Sequence, residues 1–157
     1  SRVEEKMECI DLKDCAEACV NMLQVNAEKH AVTLHFEGET AFIHANKQMV
    51  DEVLHNLCDN AIRYNKENGM VKVQVEKTKE HVTLLVSDTG IGIPLSEQKN
   101  IFNDFYRVGD EMTRSTKGSG LGLAIVKRVA ETHKATISLS SKLGKGSTFT
   151  VRFKKVD

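Results

Sequence analysis

The sequence predicts a two-layer α/β sandwich, in which helices cover one face of a β-sheet. Two long segments carry apolar residues at helical spacing, and several short segments have the alternating or continuous apolar character of strands. The last two of these strands form a terminal hairpin. With 157 residues and 40% hydrophobic content, the chain has the size of a single domain, 1–157, with a core of its own.

The first half of the chain contains the two clearest helices. Before the second helix we predict, in chain order, a strand over residues 9–12, a helix over residues 13–29, and strands over residues 32–36 and 41–44. The last two strands are joined across Gly38. Residues 46–64 then carry an apolar stripe of period 3.6, which predicts the second helix, with Asn46 as its N-cap.

The second half begins with two strands of different character. Residues 71–75 alternate between valine and polar residues, as half-buried strands do, whereas residues 82–86 are more continuously apolar and predict a strand covered on both faces. From residue 88 to 122 clear periodicity is lost, which predicts a long functional loop. The other predicted elements are a short helix near residues 96–102, a helix over residues 121–132, and a hairpin of residues 136–140 and 148–153 that turns across residues 144–146.

Charge and composition exclude several classes of protein. Lysine plus arginine and aspartate plus glutamate both number 22, so no overall field attracts nucleic acid or an anionic membrane, and an anion site must be built locally. The apolar runs are far shorter than the roughly 20 residues that a membrane helix needs, which predicts a soluble domain.

The cysteines and histidines indicate neither disulfides nor a metal site. The four cysteines include no CxxC pair and predict reduced, core-type thiols in the cytoplasm, with Cys15 and Cys19 on one helix face. The six histidines have no ligand spacing with cysteines or carboxylates, so we expect them to be core or solvated residues.

Three polar residues of the second helix, Asn56, Asn60 and Arg63, are spaced i, i+4 and i+7 and line one stripe beside its apolar face. An asparagine carbonyl oxygen is a ligand that Mg²⁺ accepts alongside phosphate oxygens, and arginine supplies a fixed cation for phosphate. On its own, the stripe fits the solvated face of an ordinary amphipathic helix better than it fits a site.

Residues 88–94 (DTGIGIP) directly follow a predicted buried strand. The Asp88 carboxylate therefore lies at a strand end, where it can accept a hydrogen bond from an exocyclic amine such as that of adenine. Gly90 and Gly92 allow the backbone to turn sharply and approach a flat base. The alternative is an ordinary Asp-x-Gly turn, with Pro94 at the first position of the short helix.

A glycine-rich run, residues 118–122 (GSGLG), leads into a helix predicted from Leu121. Free backbone N–H groups at a helix N-terminus bind phosphate. The run lacks the Gly-Lys-Ser/Thr ending of a P-loop, and no dinucleotide-binding βαβ unit surrounds it. A glycine-rich linker is the alternative.

An aromatic cluster, Phe102, Phe105 and Tyr106, precedes the largely polar residues 109–117, with Arg107 just before this stretch and Arg114 within it. We expect a mobile lid here whose arginines reach phosphate. For the two phenylalanines, ordinary core packing is the preferred interpretation even in an enzyme.

Five segments, in this order, resemble the N, G1, F, G2 and G3 boxes of bacterial sensor histidine kinases. They are residues 55–64 (HNLCDNAIRY), 88–94, 101–107 (IFNDFYR), 118–126 (GSGLGLAIV) and 144–149 (GKGSTF). Each box alone is unspecific, but the five in order span nearly the whole chain. The resemblance implies the Bergerat ATP-binding fold of gyrase-like and Hsp90-like ATPases, with a mixed sheet of about five strands and three helices on one face.

By matching position, the resemblance also assigns roles. Asn60 corresponds to the Mg²⁺ ligand, Asn56 and Arg63 lie near the phosphates, and Tyr64 lies near the nucleotide. Arg107 resembles the cation near the γ-phosphate. The implied catalytic residues are Asn56, Asn60, Arg63 and Arg107.

Asp88 matches the aspartate that reads adenine, and Thr148 matches a residue that supports the adenine site, although by itself it fits a plain strand position. The glycines at 118, 120 and 122 resemble the hinge of the phosphate lid. Besides the residues named above, the resemblance counts as nucleotide-binding Gly90, Gly92, Ile93 and Leu121, together with the hinge glycines Gly118, Gly120 and Gly122.

The implied function is to bind MgATP and donate its γ-phosphoryl group to a histidine of a separate helical dimerisation domain, in a system with a response regulator receiver domain. None of the six histidines is followed by an acidic residue and a nearby proline, as the acceptor of this family is. We therefore expect a monomeric cytoplasmic domain, cut from a membrane-anchored parent, that does not bind nucleic acid.

Two alternatives remain. The first is a related enzyme, either a gyrase-like ATPase or an anti-sigma-type serine kinase. Gyrase-like ATPases place a glutamate where Asn56 stands, and an amide cannot take a proton from water. The second is a nucleotide-gated binding module, which would keep Asp88 and the glycines but lose the Mg²⁺ and phosphate residues.

Overall fold

The computed structural model describes residues 6–103 and 123–156. In chain order the elements are β1 (Met7–Asp11), α1 (Leu12–Lys29), β2 (Thr33–Gly38), β3 (Phe42–Asn46), α2 (Lys47–Arg63), β4 (Met70–Lys77), β5 (His81–Asp88), α3 (Leu95–Gln98), α4 (Leu123–Thr132), β6 (Thr136–Lys142) and β7 (Gly146–Lys154). The structure confirms the predicted α/β sandwich.

Five strands form one mixed sheet in the order β2-β4-β5-β7-β6, and β1 pairs with β3 in a separate two-stranded sheet. In the larger sheet β2 and β4 are parallel, and the other neighbours are antiparallel. The two strands that Gly38 was predicted to join therefore belong to different sheets.

Alternation along the central strands determines which face of the sheet is buried. Val73, Leu84 and Val86 are essentially inaccessible, and the helices α1, α2 and α4 contact the sheet through β2, β4, β5 and β6. Thr83 and Leu85, on the other face of β5, are only half-buried. The prediction that β5 is covered on both faces was wrong, because in the described part of the chain the long helices pack on one side only.

Helix α2 forms as predicted. The side chain of Asn46 caps it, since Oδ1 accepts a hydrogen bond from the N–H of Met49 at 2.9 Å. Its buried residues are Val50, Val53, Leu54, Leu57, Cys58, Ala61 and Ile62. Asn56, Asn60 and Arg63 consequently lie on the flank of the helix, half-exposed.

Several element ends differ from the prediction by one or more residues, and two of the differences have a clear cause. Leu12 begins α1 rather than ending β1, because Asp11 is its N-cap and accepts from the N–H groups of Lys13 at 3.0 Å and Ala41 at 2.9 Å. The short helix is confined to Leu95–Gln98, and Pro94 occupies its N-cap position.

The terminal hairpin is confirmed and its strands are longer than predicted. Helix α4 is described from Leu123 onward. At its far end, His133 accepts the N–H of Asn46 at Nε2 (3.1 Å), while Nδ1 donates to the carbonyl of Val129 at 2.8 Å. His133 thus joins α4 to the start of α2.

All four cysteines are free thiols, and three of them are buried. Burial raises the pKa of Cys15 to about 11, which keeps this thiol protonated at neutral pH. Cys9 is exposed on β1, so its assignment as a core thiol was wrong. Across the described residues, none of the helices combines the length and the apolar character needed to span a membrane.

Replacing Asn46 by alanine is expected to lower the free energy of unfolding by about 1 kcal/mol, because the N–H of Met49 loses its cap. Urea denaturation measures the change. Asn46→Asp is the matched control, since a carboxylate also caps a helix N-terminus. An equal loss of stability in both variants would contradict the capping role.

Candidate functional site

Asp88 ends β5, with its carboxylate held beside the neighbouring strand β7. Its Oδ1 accepts the N–H of Gly90 at 2.8 Å and the N–H of Ser147 at 3.3 Å, whereas Oδ2 accepts no hydrogen bond from the described residues. Burial raises the pKa of Asp88 above its ordinary value, and the two backbone hydrogen bonds oppose this shift. The carboxylate is therefore fixed through one oxygen and offers the other to a ligand.

The loop after Asp88 lies between helix α2 and the β6–β7 turn. The N–H of Ile91 donates to the carbonyl of Tyr64 at 3.2 Å, and the carbonyl of Ile91 accepts the N–H of Gly144 at 2.8 Å. A Cβ on Gly90 would collide with the Tyr64 carbonyl, and one on Gly92, which has a φ of +75°, with backbone of β6. These glycines are required by neighbouring protein backbone, a reason that the sequence did not reveal.

The last residue of this loop before Pro94 is fixed on both sides. The N–H of Ile93 donates to Oγ of Ser141 at 2.8 Å, and its carbonyl accepts from Nε2 of Gln98 at 2.8 Å. Nε2 of Gln98 also donates to the carbonyl of Ser141 at 3.2 Å. Ile93 itself is buried in the core.

The predicted polar stripe of α2 comes next to the Asp88 loop, because Tyr64, the C-cap of α2, accepts the hydrogen bond from that loop. Nδ2 of Asn56 donates to the carbonyl of Glu52 at 2.8 Å, which leaves its amide oxygen for a ligand. Asn60 lies one helical turn further on and is half-exposed. The structure therefore places Tyr64 beside the Asp88 loop, with Asn60 about one helical turn before it on α2 and Asn56 one turn before that.

Arg63 is held by a residue that the sequence analysis did not select. Its Nη2 lies 3.0 Å from Oδ2 of Asp59, and Oδ1 of Asp59 accepts from Nδ2 of Asn26 on α1 at 3.4 Å. The i, i+4 spacing of Asp59 and Arg63 was the available signal. This ion pair ties the Arg63 guanidinium to the neighbouring turn of the same helix.

Thr148 does not lie beside Asp88. In the β5–β7 register Asp88 pairs with Ser147 and Ser87 pairs with Thr148. Successive strand residues point to opposite faces, so Thr148 is on the open face, where its Oγ1 donates to Oγ of Ser87 at 3.0 Å. The residue that pairs with Asp88 is Ser147, which is buried and donates its backbone N–H to the carboxylate.

Other predicted site residues lie outside the described residues. They are Arg107, Gly118, Gly120, Leu121 and Gly122, together with Phe105, Tyr106, Arg114 and the predicted lid over residues 109–117. Phe102 is described and packs edge-to-face on Phe149, with ring centroids 6.3 Å apart. The preferred interpretation of Phe102 as a packing residue is confirmed.

Known proteins resemble this chain in both sequence and structure. The family model described as "Histidine kinase-, DNA gyrase B-, and HSP90-like ATPase" matches residues 45–157. The sensor histidine kinase RppB of Synechocystis sp. is 32% identical over 97% of this chain and 35% of its own length. The sensor protein kinase PmrB of Pseudomonas aeruginosa is 37% identical over 90% of this chain and 30% of its own length.

Among solved structures, the catalytic domain of the histidine kinase ThkA matches with a TM-score of 0.83 at 26% identity, covering 95% of both chains. ThkA is also known in complex with the response regulator protein TrrA. The chain spans about a third of the length of the curated relatives named above.

Asp88→Asn is expected to make the ligand-free protein more stable at pH 7. Burial disfavours the ionised carboxylate, and the amide oxygen of asparagine can still accept from Gly90 and Ser147. Because the pKa is raised in the folded state, the folded protein holds the proton more tightly, so the stability of the unaltered protein falls as pH rises through that window.

Urea denaturation over a pH series tests this expectation. The gain from Asp88→Asn should shrink as the pH falls through the raised pKa toward the ordinary carboxyl pKa of the unfolded chain, and it should be lost below that, where the group is protonated in both states. Glu80→Gln, which removes an exposed carboxylate in the β4–β5 turn, is the control. A destabilised Asp88→Asn protein at pH 7 would contradict the assigned cost of burial.

Proposed function

Since the chain belongs to the histidine kinase-, DNA gyrase B- and HSP90-like ATPase family, we propose that it binds MgATP and donates the γ-phosphoryl group to a histidine of a separate helical dimerisation domain. The observation that carries the proposal is the connection between the two halves of the site. The Asp88 loop, suited to a base, is hydrogen-bonded through Tyr64 to the helix that bears the phosphate-type residues.

The chemistry of Asp88 fits adenine. An ionised carboxylate oxygen accepts a hydrogen bond from an exocyclic amine and repels the oxo group that guanine carries at the same position. Ser147 takes the supporting position that the sequence analysis gave to Thr148, because its N–H and hydroxyl lie on the carboxylate side of the sheet. Ile93 is proposed to line the base through its fixed backbone.

The α2 flank fits phosphate and Mg²⁺. Neutral amide oxygens from Asn56 and Asn60 suit a metal that keeps water and phosphate oxygens as its other ligands, and Asn60 is the proposed metal ligand. When bound, Mg²⁺ neutralises charge on the phosphate oxygens. Arg63, oriented by Asp59, is proposed to hold a phosphate group.

The remaining assignments rest on the sequence resemblance. Arg107 is proposed as the cation near the γ-phosphate. Gly118, Gly120, Leu121 and Gly122 are proposed as the hinge and N–H donors of the phosphate lid. In the transfer step this domain needs to form no covalent bond of its own, because phosphoryl transfer is catalysed mainly by positioning the reactants and stabilising charge.

The partners follow from the same proposal. The acceptor histidine and its neighbouring acid belong to a dimerisation domain elsewhere in a longer parent, consistent with the share of its relatives that this chain spans. A response regulator receiver domain would take the phosphoryl group onward, as the ThkA complex suggests by analogy. We propose a monomeric cytoplasmic domain of a membrane-anchored parent.

The first test is base selectivity. ATP is expected to bind more tightly than GTP, and Asp88→Asn to lose about tenfold or more in ATP affinity, because a hydrogen bond to a charged acceptor is lost. Calorimetry measures both. Thr148→Ala, on the opposite face, is the matched control and should bind ATP normally. Equal affinity of the unaltered domain for ATP and GTP would remove Asp88 from base recognition.

The second test is phosphoryl transfer. Incubated with labelled MgATP, the domain alone should acquire no stable label, whereas adding the helical hairpin of its parent should yield labelled hairpin. The label should be acid-labile and alkali-stable, as phosphohistidine is. Asn60→Ala should abolish transfer because the metal ligand is lost.

Gln48→Ala, an exposed substitution in the first turn of α2, is the control for this experiment and should transfer normally. Transfer at the normal rate by Asn60→Ala would exclude that residue as the metal ligand. Acid-stable label, or efficient labelling of the domain alone, would favour a serine kinase of the same fold.

A further inference from the structure

The hydroxyl of Ser141, on β6, contacts both the loop that follows Asp88 and the strand that pairs with Asp88. Its Oγ accepts the N–H of Ile93 at 2.8 Å, lies 3.1 Å from the carbonyl oxygen of Gly146 and lies 2.7 Å from Oγ of Ser147. Ile93 belongs to the loop that follows Asp88, and Ser147 donates its N–H to the Asp88 carboxylate. One side chain therefore connects the loop to the strand that holds the carboxylate.

The direction of each proton in this cluster follows from counting donors and acceptors. A serine hydroxyl has one proton to donate and two lone pairs to accept with. The N–H of Ile93 occupies one lone pair of Ser141, and the carbonyl of Gly146 can only accept, so it receives the Ser141 proton. The second lone pair of Ser141 then accepts the proton of Ser147.

This arrangement makes all three contacts of Ser141 at once. The opposite one, in which Ser141 donates to Ser147, would leave the Gly146 carbonyl facing an oxygen lone pair at 3.1 Å. Part-buried polar groups favour the arrangement that satisfies every contact.

The consequence concerns the oxygen of Ser147. With its proton directed to Ser141, the Ser147 hydroxyl has only lone pairs left to offer. Asp88 and Ser147 face each other in the strand register, on the same side of the sheet. Both side chains are therefore hydrogen-bond acceptors, so the edge of a ligand that contacts them must supply hydrogen-bond donors.

We propose that Ser141 is a positioning residue that sets the base specificity of the site. By holding the Ser147 hydroxyl as an acceptor beside Asp88, it favours an amino group over an oxo group at the six-position of a purine. A Ser147 hydroxyl released from Ser141 rotates and donates to an oxo oxygen, which removes part of the discrimination. The inference rests on the proposed binding of ATP.

The test compares the affinities of ATP and inosine triphosphate, which carries an oxo group in place of the amine. In Ser141→Ala the ATP-to-inosine-triphosphate affinity ratio is expected to fall by about tenfold, the worth of roughly one hydrogen bond. Ser141→Thr, which keeps the hydroxyl, should retain the ratio. Ser140→Ala, on the exposed face of the same strand, is the matched control.

A purely structural role for Ser141 would weaken both nucleotides equally and leave their ratio unchanged, which would overturn the proposal. Ser147→Ala should lower the ratio as much as Ser141→Ala does, and the double variant should lower it no further, because the two hydroxyls act as one unit. Additive losses would mean independent roles and would also overturn it. If Ser141→Ala does not fold, Ser147→Ala replaces it, and an unchanged ratio in that variant overturns the proposal in the same way.

The outcomes also separate this inference from the proposed function. If the unaltered protein binds neither nucleotide, or if Asp88→Asn leaves ATP affinity unchanged, the proposed function fails and this inference with it. If Asp88 governs ATP binding and the Ser141→Ala ratio is unchanged, only the role of Ser141 is lost.

Discussion

The antiparallel pairing of β5 with β7 is the contact on which the candidate site depends. Its register sets Asp88 opposite Ser147, which lets a backbone N–H hold the carboxylate. A slip of one residue would turn Asp88 to the open face and bring Val82 and Val86 out of the core, because strand side chains alternate between faces. The hydrophobic core of the sheet thus determines where the charged group of the site points.

Two kinds of group lie near this point, and they differ in exposure. The proposed base half of the site consists of a carboxylate and a loop fixed by backbone and part-buried side-chain contacts, with Ser141 and Gln98 on either side of Ile93. The proposed phosphate half consists of half-exposed side chains on the flank of α2. A preorganised base site lowers the ordering cost of binding.

Much of this was predictable because the signals are local. The period of α2, its Asn46 cap and the hairpin turn were read from neighbouring residues, and the family match confirmed the resemblance drawn from five boxes. What was missed depends on pairing between distant strands. Thr148 and Ser147 are adjacent hydroxyls, and only the register with β5 decides which one meets Asp88. Likewise, the backbone contacts that require Gly90 and Gly92 come from Tyr64 and β6, which no local pattern indicates.

The proposed transfer also requires the domain to hold ATP without hydrolysing it before the acceptor histidine has docked. Asn56 meets this demand, because its amide donates to the Glu52 carbonyl and has no group that could take a proton from water. Asp88 is a base, but its carboxylate lies at the end of β5 and is bound there by two backbone N–H groups, on the base side of the site. Under this proposal the residue that reads the base can be acidic, while Asn56 places an amide, rather than a carboxylate, on the phosphate side. If the proposed transfer holds, efficient turnover requires a nucleophile from another domain, and the docking of that domain is the step at which the reaction can be controlled.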